Sequence, residues 1–156
     1  MVLPKPNPSL SDFAPLEYQG VQLLPWNLLP PEQAVSAVPA IVYAIFTEGL
    51  QVGWCDLRLA VNDDLLSYSG QIGYQISPLF RRQGLAFKAC CALAMEAQAR
   101  QLWPLIVTTN HDNHASQALL QALGASFLDQ RPVPEGHELY RRGDRVKNRY
   151  QWASLP

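Results

Sequence analysis

Residues 40–46, AIVYAIF, are apolar at every position. A strand sends successive side chains to opposite faces, so a short segment with both parities apolar reads as a strand covered above and below. That requirement points to a layered fold with a sheet in its middle. Partners for the strand follow directly. Residues 52–61 alternate, with Cys55, Leu57, Leu59 and Val61 on one face and Trp54, Asp56 and Arg58 on the other. Asn62-Asp63-Asp64 marks a turn, and residues 71–76 read as a third strand with Ile72, Tyr74 and Ile76 on a common face. Three antiparallel strands are expected.

The pattern changes at residues 86–100, an alanine-rich stretch whose only charges are Lys88, Glu96 and Arg100. High helix propensity and scarce charge predict a buried helix. Pro104 stops it, and the branched residues of 105–109 predict another interior strand. Asn113 suits the cap of a second helix over 114–123, which Gly124 ends in the left-handed conformation that glycine reaches without strain. Residues 125–129 and 146–152 are expected to be closing strands. Eight of the thirteen prolines fall within residues 1–39. That segment is expected to pack on the same domain as extended pieces, with one short helix over 32–38 opened by Pro30-Pro31 and closed by Pro39. Residues 40–156 form the core.

At 156 residues, with 48% hydrophobic and 16% charged side chains, the chain fits one domain with a filled core. Twelve Lys and Arg against thirteen Asp and Glu leave a net charge of -1, so no global field draws nucleic acid, which is not an expected partner. The apolar runs 40–46 and 89–95 fall far short of the ~18 residues that span a bilayer, and prolines interrupt any signal core, so a cytoplasmic protein without membrane association is expected. The odd count of three cysteines, with Cys90 and Cys91 adjacent, suits reduced thiols in a core. His111, Asp112 and His114 match known metal spacings poorly, and no metal is expected. Arg145, Lys147 and Arg149 share a strand face and read as a solvated edge. Attraction of a coenzyme phosphate or an acidic acceptor is the functional alternative.

Chemistry concentrates in SPLFRRQGLA, where the third strand ends in a loop that runs straight into the long helix. The first amides of a helix lack internal acceptors and sit at the positive end of its dipole, so such a junction binds oxyanions by main chain. Gly84 permits close approach, and Arg81 and Arg82 add charge. No GK[ST] follows the glycine, so this is not a P-loop.

Arg81, Gly84 and Ala86 match the Arg/Gln-x-x-Gly-x-Gly/Ala pattern of the pyrophosphate loop in the GNAT superfamily of acyl-CoA N-acyltransferases. Asn113, Ser116, Leu123 and Gly124 resemble its second signature, at the expected separation and in the branch that carries Asn and Ser. The resemblance spans residues 40–152. It implies an α/β, three-layer α/β/α fold around a mixed, mostly antiparallel, splayed sheet. The strands over 71–76 and 105–109 would part to admit pantetheine. By the same resemblance, acetyl-CoA would contact Ile76, Arg81, Arg82, Gln83, Gly84, Leu85, Ala86, Asn113 and Ser116. The reaction implied is direct attack by a primary amine on the thioester in a ternary complex. The amine could belong to a small molecule, a peptide N-terminus or a lysine.

Alignment on Leu123-Gly124 places Leu120 where many members carry a proton-donating tyrosine, so Ser116 is the expected donor. The usual carboxylate base has no counterpart near Gly70, Gln71 or Thr108. Glu48, Asp56, His111 and His114 stay open as bases, and Tyr74 as a group that holds or polarises the acceptor. A homodimer is a family expectation. The alternative to catalysis is a GNAT-fold acyl-CoA sensor without turnover.

Overall fold

A computed structural model describes residues 8–156; Pro4 and Pro6 of the proline-rich segment lie outside the described residues. In chain order the elements are β1 (Leu16–Tyr18), β2 (Val21–Leu29), β3 (Ala40–Thr47), β4 (Leu50–Arg58), β5 (Ile72–Ile76), α1 (Leu85–Ala99), β6 (Leu105–Asn110), α2 (His114–Ala122), β7 (Ser126–Pro132), α3 (Glu138–Arg141) and β8 (Val146–Trp152). Strands β1 to β5 form one antiparallel sheet in sequential order, and β6, β8 and β7 form a second.

The expected central strand is β3. Ile41, Tyr43 and Ile45 face the main core, Ala40 and Ala44 are buried on the opposite face, and β2 and β4 flank the strand. Helix α1 packs on the core face. Leu85, Ala89, Cys90, Cys91, Ala92, Leu93, Ala94 and Ala97 are buried, and the small side chains let the helix sit close to the sheet. A bulkier residue at Ala92 would overpack this contact at a cost of about 1–3 kcal/mol. Burial raises the pKa of each thiol, Cys55, Cys90 and Cys91, so all three pack protonated, as small hydrophobes. Helix α2 joins this layer through Leu120. The second face carries short turns over residues 31–37 and the start of α3, tied together by Ser36 N donating to Glu138 Oε1 at 2.7 Å.

Among the described residues the two sheets, which share one core, are joined by hydrogen bonds at Gln71. Gln71 N donates to the Ile106 carbonyl (2.8 Å), and the Gln71 amide bridges onward, accepting from Ile106 N (2.7 Å) and donating to the Leu102 carbonyl (3.3 Å). Beyond this clasp β5 and β6 share no further pairing among the described residues. Burying a glutamine amide without partners would be costly, so Gln71, 3% exposed, is fixed where the fork opens.

Several expectations need correction. No α-helix forms over 32–38. Two 3-10 turns, Pro31–Gln33 and Val35–Ala37, stand there instead, because Ser36 and Ala37 take positive φ (55° and 54°) and break helical continuity. The proline-rich segment supplies a nine-residue strand, β2, with Pro25 beside a bulge where its missing N–H is tolerated. Strand β4 ends at Arg58, leaving Val61 exposed, and β7 runs on to Pro132. The basic strand is no solvated edge. Strand β8 lies between β6 and β7, with Lys147 buried against Asp144 (2.9 Å) and Arg149 held by both Asp129 oxygens (3.0 and 2.9 Å) and the Leu66 carbonyl (2.9 Å). Arg145 precedes β8 and stacks on Tyr140.

Candidate active site

Where β5 and β6 diverge, a cavity of about 750 Å³ opens between the end of β5, the loop into α1 and the first turns of α2. Every residue expected to hold the donor lines it except Gln83: Ile76, Arg81, Arg82, Gly84, Leu85, Ala86, Asn113 and Ser116. Phe80, Phe87 and Leu119 add apolar walls.

The loop is built to present main chain. Arg81 Nε donates to the Ile76 carbonyl at 2.9 Å and pins the loop to the end of β5. Arg82 and Gly84 take positive φ (66° and 73°), and a Cβ built at Gly84 meets nothing within 4 Å, so the glycine serves conformation and open access. The first bond of α1 runs from Lys88 N to the Gly84 carbonyl, and the amides from Arg82 to Phe87 find no protein acceptor among the described residues. That row of free donors at the positive end of a fifteen-residue helix has the chemistry that suits phosphate oxygens.

At the α2 end, Asn113 Oδ1 accepts from Ser116 N (3.1 Å) as a helix cap, which leaves the Asn113 amide nitrogen for the cavity. Ser116 Oγ is hydrogen-bonded to Tyr74 Oη, so a strand residue and a helix residue converge across the cavity. Burial raises the Tyr74 pKa well above its ordinary value, more than the Ser116 contact lowers it, and the phenol stays protonated. Leu120 is fully buried in the core and absent from the cavity wall, so the position that bears tyrosine in many relatives of this motif has a packing role.

A second cavity, of about 340 Å³, lies on the opposite face of the sheet, and Tyr74 and Gln75 border both. Asp56 stands in its wall. Arg58 Nε lies 2.7 Å from Asp56 Oδ2 as an ion pair, and Arg58 also donates to the Ser69 and Gly70 carbonyls at 3.3 and 3.2 Å. Burial raises the Asp56 pKa and Arg58 only partly opposes it. A Cβ on Gly73 would come within 2.5 Å of Asp56 Oδ1, so this glycine makes room for the carboxylate. Trp54, Arg142 and Gln33 line the same cavity, and sequence reading gave them no site role. Their signal is spatial, since they come from β4, the residue after α3, and a 3-10 turn.

The remaining candidates lie elsewhere. Glu48 is exposed on the β3–β4 turn, at φ 49°, and His111 and His114 are exposed around the start of α2; none of the three borders either cavity. Among the described residues no cluster of His, Cys, Asp and Glu could hold a metal, and no helix is long and apolar enough to cross a membrane.

Comparison with known proteins gives the fold its relatives. Curated protein sequences contain no match to the chain. The structure of RimL, the ribosomal L7/L12 alpha-N-protein acetyltransferase, in complex with coenzyme A is similar at a TM-score of 0.60 and 17% identity, over 85% of this chain and 93% of that one. A GNAT family acetyltransferase from Elizabethkingia anophelis with acetyl-CoA bound matches at 0.59 and 12%, over 87% and 99%. The microcin C7 self immunity acetyltransferase MccE, in complex with acetyl-CoA and AMP, matches at 0.53 and 16% over 75% of this chain, which spans 61% of that protein. At these identities the likeness is one of fold. The model of the acetyltransferase (GNAT) domain matches residues 21–126, from the first residue of β2 to the first of β7, and includes the fork, the loop and α2. The chain belongs to the GNAT family of acetyltransferases.

Proposed function

We propose that the protein transfers an acetyl group from acetyl-CoA to a primary amine by direct attack in a ternary complex. The observation that carries this reading is the row of unpaired amides from Arg82 to Phe87, opening into a cavity that ends at the Tyr74–Ser116 hydroxyl pair. The cavity suits the coenzyme on both counts. Main-chain donors at a helix start meet the pyrophosphate, and the open edge of β5 beyond Gln71 offers peptide groups to the amides of pantetheine as an added strand would.

Ser116 then lies where the thioester sulfur would arrive. Its hydroxyl supplies the proton to the departing thiolate, and Tyr74, protonated and hydrogen-bonded to it, resupplies that proton through the same contact. Neither group forms a covalent intermediate, and the cysteines stay in the core. The amine approaches from the second cavity, across the part of β5 that Tyr74 and Gln75 occupy. Asp56 is the base on that side: raised by burial, its carboxyl can take a proton from an ammonium group more readily than an exposed aspartate would.

Mixing the protein with acetyl-CoA and a panel of amines tests this, with thiol release as the readout. Saturable, amine-dependent release of free CoA is expected. Tight acetyl-CoA binding with no release for any amine would overturn it and favour a sensor.

A further inference from the structure

The second cavity carries a charged group, Arg142, that the transfer chemistry leaves unused. Its charged lining groups are Asp56, Arg58 and Arg142. Asp56 and Arg58 neutralise each other at 2.7 Å. Arg142, exposed just after α3 and lining the cavity, makes no side-chain hydrogen bond or ion pair among the described residues; Asp144, on which its charge also acts, is already paired with Lys147 at 2.9 Å. The cavity lining therefore includes one guanidinium without a hydrogen-bonded or ion-paired partner among the described residues. The side chains of Gln33 and Gln75 are also without partners among the described residues, while Leu29, Val35, Val42 and Trp54 make an apolar wall.

We propose, resting on the transferase reading above, that the acceptor is an amino-acid-sized molecule whose amine is accompanied by a carboxylate and an apolar side chain. Three observations carry this. A volume of about 340 Å³ lies near the lower end of the roughly 300–1,000 Å³ of small-molecule sites, which suits a compact acceptor. One unpaired guanidinium matches a single monoanionic group, and its planar fork fits a carboxylate with two parallel hydrogen bonds. A phosphate dianion would exceed that charge and stand against Asp56. The apolar wall receives an aliphatic or aromatic side chain, not a charged one.

The step balances simply. The amine nitrogen forms a bond to the acetyl carbon, the carbon–sulfur bond breaks, one proton leaves the nitrogen for Asp56, and one reaches the thiolate from Ser116, which Tyr74 resupplies. Exchange with solvent then takes the proton from Asp56 and returns one to the hydroxyl pair. The products are an N-acetyl amino acid and free CoA.

The test compares L-leucine with L-leucinamide, isoamylamine, O-phosphoethanolamine and a peptide with N-terminal leucine, using the full chain with acetyl-CoA. Leucine is expected to exceed leucinamide in kcat/KM by about tenfold, the lower end for a charge-assisted contact because Arg142 is exposed. Arg142→Gln should bring that ratio to about one, through KM, while acetyl-CoA affinity by calorimetry stays at the wild-type value. Equal use of leucine and leucinamide, preference for the peptide or the phosphorylated amine, or an undiminished ratio in the variant would overturn the assignment. Calorimetry of leucine against the protein saturated with CoA separates the two levels of the claim. Arg142-dependent binding without turnover would contradict the transfer reading and keep the acceptor class, whereas absent binding would contradict the acceptor class itself.

Discussion

The two cavities on either side of β5 are made differently. The fork cavity is bounded by a continuous loop and helix start, residues 80–87, whose working groups are main-chain amides. The cavity on the opposite face is assembled from side chains of β2, β3, β4, β5, the 31–37 turns and the residue after α3, and its working groups are Asp56, Arg58, Arg142 and Trp54. A site made of backbone keeps its ligand through many sequence changes provided the conformation is kept. A site made of side chains can change ligand with one substitution. In the proposed reaction donor and acceptor recognition fall on those two sides, so substitutions in each cavity should fail in different ways.

The largest contrast is expected at Gly84. Glutamate there places a like charge against the pyrophosphate and forces a side chain into positive φ, so acetyl-CoA affinity measured by calorimetry should fall at least about 100-fold. Gly84→Asn, which tolerates the left-handed conformation without adding charge, should keep affinity within about threefold of wild type. A similar loss in both variants would mean that conformation, not charge at the amides, governs binding.

Next comes Ser116→Ala, which should lower kcat about 100-fold, within the usual range for removing a proton donor, and leave acetyl-CoA binding nearly intact. Tyr74→Phe should produce a smaller loss, because its hydroxyl acts through Ser116. If Tyr74→Phe were the more damaging change, the roles of the two hydroxyls would be reversed.

The opposite face should respond through pH. A carboxyl raised by burial becomes the required base only as pH climbs past that raised value. The acid limb of kcat/KM should therefore lie above the ~3.9 of an ordinary aspartate and flatten in Asp56→Asn, with activity down about tenfold at neutral pH. A limb unchanged in the variant would remove Asp56 from the chemistry.

The smallest effect is expected away from both cavities. Arg149→Met deletes the double contact to Asp129 and the bond to the Leu66 carbonyl, and should cost about 1–2 kcal/mol of stability by urea denaturation. Kinetic constants should stay near wild type, because these charges are occupied within the fold.

The same division explains what the sequence revealed. The apolar run over 40–46, the alanine-rich helix and the Asn113 cap are local patterns, and each stands within a residue or so of its expected place. The loop with unpaired amides before α1 was legible because one short segment forms it. Strand β2 was obscured by Pro25, which a bulge accommodates only when β3 is already alongside. The basic residues of β8 looked solvated because period-two spacing cannot show that β7 and β6 flank the strand, nor that Asp129 and Asp144 meet its charges. Asp56 was one candidate among several until packing placed it in a cavity wall and Glu48 on an exposed turn. Arg142 carries no local pattern, and although alternation put Trp54 on the face of Asp56 and Arg58, only the fold brings the residue after α3 to that face.

Amide resonances of residues 82–87, followed by NMR as CoA is added, report most directly on coenzyme binding by main chain at the start of α1. Large, saturable shifts of these amides, reduced when the ligand is pantetheine without its pyrophosphate, are expected. Resonances that stay fixed in this segment while others move would contradict it.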